Sequence, residues 1–286
     1  MSTKLIKLFY FDDVLNFGDL LNVLLAEKYL SQRNKHVQYV GHKECNAMFL
    51  GSILQLLWSP RRSLLTKSGL RFLHDPVNVW GSGLISPTTK PVLTRKLNIY
   101  ALRGKLTLSI LKDQSQRGGI QFLSNSLGDP GLLSNLICDC SDVKKEYSLG
   151  VIPHYVDKGL NVLDVFRDNS EVNIIDVQNS PENVIREIAK CNRIISSSLH
   201  GLIVADSLNI PNARMILSNQ IVGGDFKYMD YYSVFKSGQR LALESNDLCG
   251  ILSDLEKVDQ NYNVSFEEVL TIQTELQESL EKFLAE

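Results

Sequence analysis

The chain contains 286 residues, carries a formal net charge of −2 and is 44% hydrophobic. Its length predicts roughly two domains of ordinary size, and its apolar content is sufficient for hydrophobic cores. The near-neutral charge argues against a nucleic-acid partner, and no apolar run approaches the roughly 18 residues that span a bilayer, so at most peripheral membrane contact is expected.

Cysteine usage bears on the metal content and the compartment. The chain has five cysteines, and no two of them form a Cys-x-x-Cys pair. The odd count and loose spacing argue against a disulfide framework and a structural zinc site, so no metal is expected. The segment from Met1 to Phe11 lacks a small-residue cleavage site and is typical of a first strand, which favours a cytoplasmic location.

The first strand, over residues 4–11, leads into a polar loop that carries Asn16-Phe-Gly-Asp19. Asp19 can cap the helix that follows, whose apolar positions share one face. This turn puts Asn16 and Asp19 at the carboxyl end of a strand, where ligands bind in α/β sheets. A simple turn and cap is the alternative interpretation. A strand at 37–40 and a short helix at 46–57 are expected next.

Two further strands of this half, at 77–80 and 97–101, are followed by residues suited to binding. Gly83, after the first, allows a ligand to approach the backbone closely, or simply permits a tight strand exit. Arg103, after the second, can bind a carboxylate or phosphate bidentately, or can pair with a structural acid. Asp129 lies in a sharp loop that leads into a short helix.

The segment 139–146 is charged and short of apolar residues, which is typical of a linker. The second half then opens with a strand at 147–152. His154 follows this strand and is placed either for function or as a hydrogen-bonded structural histidine.

From residue 174 to residue 215 the pattern predicts strand, helix, strand, helix. The second strand ends in Ser196-Ser197-Ser198, and His200 follows where the next helix begins. Helix N–H groups and hydroxyls at such a junction suit an anion, and His200 is placed to move a proton. Alternatively, the serines cap the helix and the histidine is a satisfied structural residue.

Lys227 lies in a Gly-rich segment, 223–228, that is predicted to be flexible and able to close over an anion. The alternative is an ordinary solvated lysine. Amphipathic helices are expected at 246–258 and 264–285. The last of them can pack back across the N-terminal domain or serve a dimer interface.

These elements predict an α/β protein with two Rossmann-like domains that face each other across a cleft, at 1–138 and 147–262, followed by a C-terminal helix at 263–286. The polar residues at the strand ends suit a small anionic donor on the C-terminal side and a polyhydroxyl acceptor on the N-terminal side. The sequence has no Walker lysine motif and no Gly-x-Ser-x-Gly elbow.

An ordered series of motifs resembles the polysaccharide pyruvyl transferases and covers nearly the whole chain. The motifs are Asn16-Phe-Gly-Asp19, Trp80-Gly-Ser-Gly83, Leu102-Arg103-Gly104, Leu127-Gly-Asp-Pro130, Ile152-Pro-His-Tyr155 and Ser196-Ser-Ser-Leu-His-Gly-Leu-Ile203. The resemblance implies a two-domain fold like that of the GT-B glycosyltransferases. It also implies transfer of pyruvate from phosphoenolpyruvate onto two hydroxyls of a sugar, as a cyclic ketal for a cell-surface polysaccharide.

The resemblance also implies roles for individual residues. His200 matches the motif histidine regarded as the general acid or base, and Arg103 matches an arginine associated with donor binding. Lys227 lies where the family often has a basic residue for the donor. Many members have Arg-Leu-His where this chain has Ser198-Leu199-His200, so charges elsewhere must neutralise the donor.

The predicted site therefore has a catalytic, a donor-binding and an acceptor-binding part. Phosphoenolpyruvate is expected as co-substrate, without a further cofactor. The expected acceptor is a lipid-linked or nucleotide-linked saccharide. The residues are His200 for catalysis; Arg103, His154, Ser197, Ser198 and Lys227 for the donor; and Asn16, Asp19 and Asp129 for the acceptor.

Two other functions stay open from the sequence. A GT-B-type glycosyltransferase that uses a nucleotide sugar would need a carboxylate for the ribose and a pocket for the base, and no convincing pair is present in the second half. A non-catalytic scaffold of the same fold is compatible with Ser198 standing in place of arginine.

Overall fold

The computed structural model describes residues 5–33, 35–59, 75–88, 92–237 and 242–285. The strands of its first half are β1 (Ile6–Phe9), β2 (Val37–Tyr39), β3 (Ala47–Met48), β4 (Trp58–Ser59), β5 (Val77–Trp80), β6 (Val92–Leu93), β7 (Leu97–Leu102) and β8 (Ile120–Leu127). Six of them form a parallel sheet in the order β2-β1-β3-β5-β7-β8, while β4 and β6 form a separate antiparallel pair.

A second parallel sheet is built from the second half of the chain. Its strands are β9 (Leu149–Ile152), β10 (Val172–Ile174), β11 (Ile194–Ser196), β12 (Asn212–Ile216) and β13 (Leu243–Glu244). They lie in the order β10-β9-β11-β12-β13. In both sheets the carboxyl ends of the strands lie at one edge, where the loops that follow them gather.

Helices follow or separate most strands. They are α1 (Phe17–Tyr29), α2 (Lys105–Ser115), α3 (Ser134–Ile137), α4 (Asp164–Arg167), α5 (Pro181–Ala189), α6 (Leu199–Ser207), α7 (Phe226–Tyr232), α8 (Leu248–Ser253), α9 (Glu256–Gln260) and α10 (Phe266–Ala285). Side-chain caps begin two of the longer ones. Asn16 Oδ1 accepts from the Gly18 N–H at the start of α1, and Ser180 Oγ accepts from the Asn183 N–H at the start of α5.

The two halves share one hydrophobic core. Leu21 and Leu25 of α1, Leu132 of a 3₁₀ turn after β8, and Leu202 and Ile203 of α6 belong to a single buried cluster. Helix α6 packs against that 3₁₀ turn, and α5 packs against α1. Apolar surface from both sheets is thereby removed from water together, which holds the strand ends of the two halves in a constant relation.

Helix α10 crosses back to the first sheet, as predicted. The Trp80 Nε1 atom in β5 donates to the Leu276 carbonyl at 2.9 Å and to Ser279 Oγ at 3.1 Å. The Gln273 amide donates to the Leu132 carbonyl at 2.6 Å, which ties the helix to the shared core as well.

The α/β class with parallel sheets is confirmed, while the two-domain division at 1–138 and 147–262 stays a prediction. The helix predicted at 46–57 is wrong, because its first part is strand β3 and only Leu54–Leu57 forms a 3₁₀ turn. An apolar run that is buried on both faces cannot be assigned from periodicity alone. Strand β8 was not predicted, because it is only half buried and its serines and asparagine dilute the apolar pattern.

Two further expectations about the second half are wrong. The segment around Lys227, predicted to be flexible, forms helix α7, whose side chains Tyr228, Tyr231 and Tyr232 are buried. The single helix expected at 246–258 is divided into α8 and α9 around Asp254, whose ψ of 81° is not helical. In both places packing of side chains against distant elements outweighs the local pattern.

The packing of α10 predicts the effect of two substitutions in one helix. Leu276→Ala removes a side chain that is 0% exposed and should lower the free energy of unfolding by about 2–5 kcal/mol. Leu270→Ala, at a position that is 45% exposed, should change it by less than about 0.5 kcal/mol. Urea denaturation measures both, and equal effects would contradict the observed docking of the helix.

Candidate functional site

A pocket opens where the strand ends of the two sheets meet, with a cavity volume of about 360 Å³. Loops from both halves line it. The lining residues include Asn16, Asp19, Gly51 and Ser52 from the first half, and His154, Tyr155, Ser198, His200 and Lys227 from the second. Six of the nine predicted site residues are therefore brought together, and Arg103, Asp129 and Ser197 are not among the lining residues.

His200 lies in the first turn of α6, and its side chain is 12% exposed. Its Nε2 atom points away from solvent toward a carboxylate oxygen of Asp129, at 4.0 Å. The other face of the ring rests on Gly18 of α1, where an added Cβ would lie 2.0 Å from the His200 Nδ1 atom. Only glycine leaves room for the imidazole at this position.

The protonation state of His200 follows from its surroundings. Burial, together with the positive charges of Lys227 and Arg103 and the neighbouring His154, lowers the pKa of its imidazole to about 3. At neutral pH the ring is therefore uncharged in the free pocket. A general acid at this position would need its pKa raised, as by an anion that offsets those charges.

The three serines before α6 have different roles. Ser196 Oγ accepts from the Ser198 N–H at 2.9 Å and donates to the Ile152 carbonyl at 3.0 Å. Ser197 Oγ donates to Asp157 at 2.8 Å and accepts from the His154 N–H at 2.9 Å. Ser197 is fully buried by these bonds, so the donor contact predicted for it is replaced by a structural one. Ser198 lines the pocket, and its side chain does not cap α6.

His154 faces the pocket from the loop after β9. Its Nδ1 atom accepts from the Val156 N–H at 3.4 Å, which favours the tautomer with the proton on Nε2. Burial lowers the pKa of this imidazole to about 4, with a further contribution from Lys227. The neutral ring can donate one hydrogen bond to an acceptor in the pocket.

Lys227 brings a cation to the pocket from the first turn of α7. Its side chain is nearly buried, and its Nζ atom has no ion-pair partner in the described part of the chain. Burial lowers the pKa of the amine to about 8, assisted by the nearby Arg103 and Arg214. Lys227 is therefore a fixed cation without a contact ion pair, on which the Asp19 and Asp157 carboxylates act from a distance, rather than part of a closing loop.

Asn16 and Asp19 line the pocket from the first half of the chain. The Asn16 amide donates to Asp19 Oδ2 at 2.8 Å while its carbonyl oxygen caps α1, so the turn is both a helix cap and part of the pocket. Burial raises the pKa of the Asp19 carboxyl to about 7, although the Asn16 hydrogen bond and Lys227 lower it. This carboxylate is able to exchange a proton near neutral pH.

The structure corrects the role predicted for Arg103. Its side chain is fully buried, its Nε and Nη2 atoms lie 3.0 and 2.9 Å from Asp230 Oδ2, and Nη2 also donates to the Leu84 carbonyl at 2.6 Å. The guanidinium therefore binds a structural acid, and Arg103 is not among the residues that line the pocket. An added Cβ on Gly83 would lie 2.4 Å from Arg103 Cζ, so this glycine accommodates the arginine rather than a ligand.

Asp129 is also placed elsewhere than predicted, because it is fully buried and is not among the residues that line the pocket. Its Oδ1 atom accepts from the Gly131 N–H at 2.9 Å and thereby caps the 3₁₀ turn Pro130–Leu133. Its Oδ2 atom faces His200. Burial raises the pKa of this carboxyl to about 6, so it remains ionised at neutral pH.

Sequence reasoning missed Gly51 and Ser52, which line the pocket after β3. They were missed because the segment 46–57 was expected to form a helix. A signal was present, because Gly51-Ser52 follows an apolar run in the same way as Gly81-Ser82 follows β5. Asp157 and Asp230, which hold Ser197 and Arg103, had no comparable local signal.

Two further features of the described ranges concern membrane-spanning helices and metal sites. No helix there is both long and apolar enough to cross a membrane. The same ranges contain no group of three or more His, Cys, Asp or Glu side chains arranged to hold a metal ion.

The buried Arg103–Asp230 pair predicts a stability effect. Arg103→Met leaves the Asp230 charge buried without its partner and should lower the free energy of unfolding by about 3–5 kcal/mol. Arg167→Met, which removes an exposed pair with Asp164, should cost less than about 1 kcal/mol. Denaturation in urea measures both, and a small effect for Arg103→Met would exclude the structural role.

Comparisons with known proteins bear on the family of the chain. Residues 16–218 match the family model described as polysaccharide pyruvyl transferase. The chain is 29% identical over 247 residues to "Uncharacterized protein L143" of Acanthamoeba polyphaga mimivirus, which covers 81% of this chain and 75% of that protein. It is 24% identical over 216 residues to "Succinoglycan biosynthesis protein ExoV" of Rhizobium meliloti (strain 1021), covering 76% of this chain and 60% of ExoV.

This chain thus spans less than two thirds of the length of ExoV. The matched range 16–218 is more than half of the chain, and it contains the Asn16–Asp19 turn, both pocket histidines and the serine-rich junction. The chain belongs to the polysaccharide pyruvyl transferase family.

Proposed function

We propose that this protein transfers pyruvate from phosphoenolpyruvate onto two hydroxyls of a saccharide and forms a cyclic ketal. The observation that carries the proposal is the pocket itself, which Lys227, His200 and the Asn16–Asp19 turn line together. We further propose that the two halves form a GT-B-like pair of domains around this pocket. The free thiols of all five cysteines favour a reducing compartment such as the cytoplasm.

The donor-binding side suits a compound with two anionic groups. Phosphoenolpyruvate carries a phosphate and a carboxylate, while Lys227 supplies an uncompensated cation. The N–H groups in the first turn of α6, together with Ser198 and the His154 ring, supply neutral donors. This combination takes the place of the arginine that many relatives have at the position of Ser198.

The acceptor-binding side suits hydroxyl groups. Asn16 and Asp19 offer an amide and a carboxylate at hydrogen-bonding distance from one another. Because the pKa of Asp19 is raised to about 7, this carboxylate can accept a proton from a sugar hydroxyl at neutral pH. The acceptor is proposed to be a lipid-linked or nucleotide-linked saccharide.

The reaction balances with these groups. A proton adds to the methylene carbon of phosphoenolpyruvate, a sugar oxygen bonds to C2, the C2–O bond to phosphate breaks, and a second sugar oxygen bonds to C2. The two hydroxyl protons end on the new methyl group and on phosphate. Binding of the donor offsets the charges that lower the His200 pKa, so that His200 can take up a proton and deliver it. Such a positioned acid contributes about 10²–10⁴-fold.

The central experiment looks for the ketal directly. A panel of saccharide acceptors is incubated with the protein and phosphoenolpyruvate, and the pyruvate ketal is detected by mass spectrometry. His200→Ala should lower its formation by at least about 10²-fold, while His36→Ala, at an exposed position outside the pocket, should not change it. Activity with a nucleotide sugar and none with phosphoenolpyruvate would instead identify a glycosyltransferase, and no product from either donor would favour a scaffold.

Donor affinity should depend on pH through Lys227. The amine is charged below its pKa of about 8 and neutral above it, so phosphoenolpyruvate affinity should fall as the pH rises through that value. Lys227→Met should weaken binding by about 10–100-fold at pH 7 and abolish this dependence. Calorimetric titrations measure both, with the exposed Lys236→Met as control. An identical pH profile in Lys227→Met would exclude Lys227 from donor binding.

A further inference from the structure

Two buried polar atoms face each other behind the pocket. Asp129 Oδ2 and His200 Nε2 are both shielded from solvent, and neither has a hydrogen-bond partner in the described part of the chain. They lie 4.0 Å apart, about 1 Å longer than a charge-assisted hydrogen bond. Buried polar atoms without hydrogen-bond partners are rare and lower the stability of a fold, so two such atoms that face each other indicate a function.

Asp129 is held firmly in this position. Its Oδ1 atom is bound by the Gly131 N–H, which leaves Oδ2 directed at the imidazole. On one side of this loop, an added Cβ on Gly128 would lie 2.4 Å from the Ile272 side chain of α10. On the other, an added Cβ on Gly131 would lie 3.0 Å from the Ile203 side chain of α6. The carboxylate and the helix that carries His200 are therefore packed together.

The His200 ring has little freedom of its own. It contacts Gly18 on one side and is directed at Asp129 on the other. The charged or titratable groups that act on it from other elements are Lys227, Arg103 and His154, all of which oppose a positive charge. The Asp129 carboxylate is directed at the ring, and its negative charge favours a positive charge there.

We propose that Asp129 is the positioning residue of His200. Its carboxylate selects the tautomer with the proton on Nε2 and leaves Nδ1 as the nitrogen that exchanges a proton with the substrate. Nε2 is shielded from solvent, so the proton exchange is assigned to the other ring nitrogen, Nδ1, which lies beside Gly18 of the pocket turn. The tautomer assignment stands on geometry alone, whereas the catalytic consequence rests on the function proposed above.

When the donor binds and offsets the nearby cations, the imidazole becomes doubly protonated. Asp129 then stabilises the imidazolium through Nε2 while Nδ1 gives its proton to the methylene carbon. An aspartate that orients a histidine in this way acts through the histidine and does not itself contact the substrate.

The test is a tautomer measurement on the ligand-free protein by ¹⁵N NMR of the histidine rings, with His200 assigned from His200→Ala. In Asp129→Asn the amide oxygen can still accept from the Gly131 N–H, while its NH₂ group donates to Nε2. The His200 proton should then move to Nδ1, changing the tautomer ratio by about tenfold or more. Asp206→Asn is the matched control, since Asp206 is equally buried but is bonded to Tyr231 and Asn212.

Asp129→Ser provides a second variant in case Asp129→Asn folds poorly. A serine hydroxyl can cap the 3₁₀ turn, yet it brings no charge to Nε2. The preference for the Nε2 proton should be lost in this variant as well. A wild-type tautomer ratio in the folded variants would overturn the proposal.

Kinetic measurements distinguish a failure of this inference from a failure of the proposed function. Asp129→Asn should lower kcat for ketal formation by about 10²-fold and change KM for phosphoenolpyruvate by less than about threefold. A tautomer change in a protein that makes no ketal supports the pairing and rejects the proposed function. An unchanged tautomer with full kcat in Asp129→Asn overturns the pairing and leaves the proposed function standing.

Discussion

Burial of helix α6 on every side is the constraint on which the site depends. Its residues Leu202, Ile203, Val204 and Ala205 are completely removed from solvent, and they contact elements of both halves. A helix that is apolar all around can lie only inside a protein. Because His200 lies in the first turn of α6, the packing that buries the helix also fixes the position of the imidazole between the two sheets.

The same burial governs the electrostatics of the pocket. Several cations gather near His200, but two of them are already compensated, because Arg103 is bound to Asp230 and Arg214 to Asp225. Lys227 keeps its charge without a partner, and its pKa is lowered as a result of burial beside these cations. A buried cation without a contact ion pair is the physical reason to expect an anionic donor. The donor would restore the balance that the protein leaves incomplete.

Several features of the site were within reach of the sequence. The strand-to-helix junction at Ser196–His200 and the Asn16–Asp19 turn were recognised because strand ends, caps and glycines leave local signals. The docking of the last helix was anticipated from its apolar face. Strand β3 and helix α7 were misjudged, because their conformation is imposed by neighbours that are distant in the chain. The charge of Arg103 was visible, but its partner Asp230, 127 residues away, was not.

The sequence by itself determined the alternation of strands and helices, the polar residues at the strand ends and the resemblance to one family, since these depend on short-range pattern and residue chemistry. Only the tertiary structure decided which of those residues face the pocket. In the folded chain Arg103, Ser197 and Asp129 are buried, whereas Lys227, Ser198 and the two histidines line the cavity. The physical reason is that a buried charge or hydroxyl must find a partner, and the partners Asp230 and Asp157 are supplied by other elements of the folded chain.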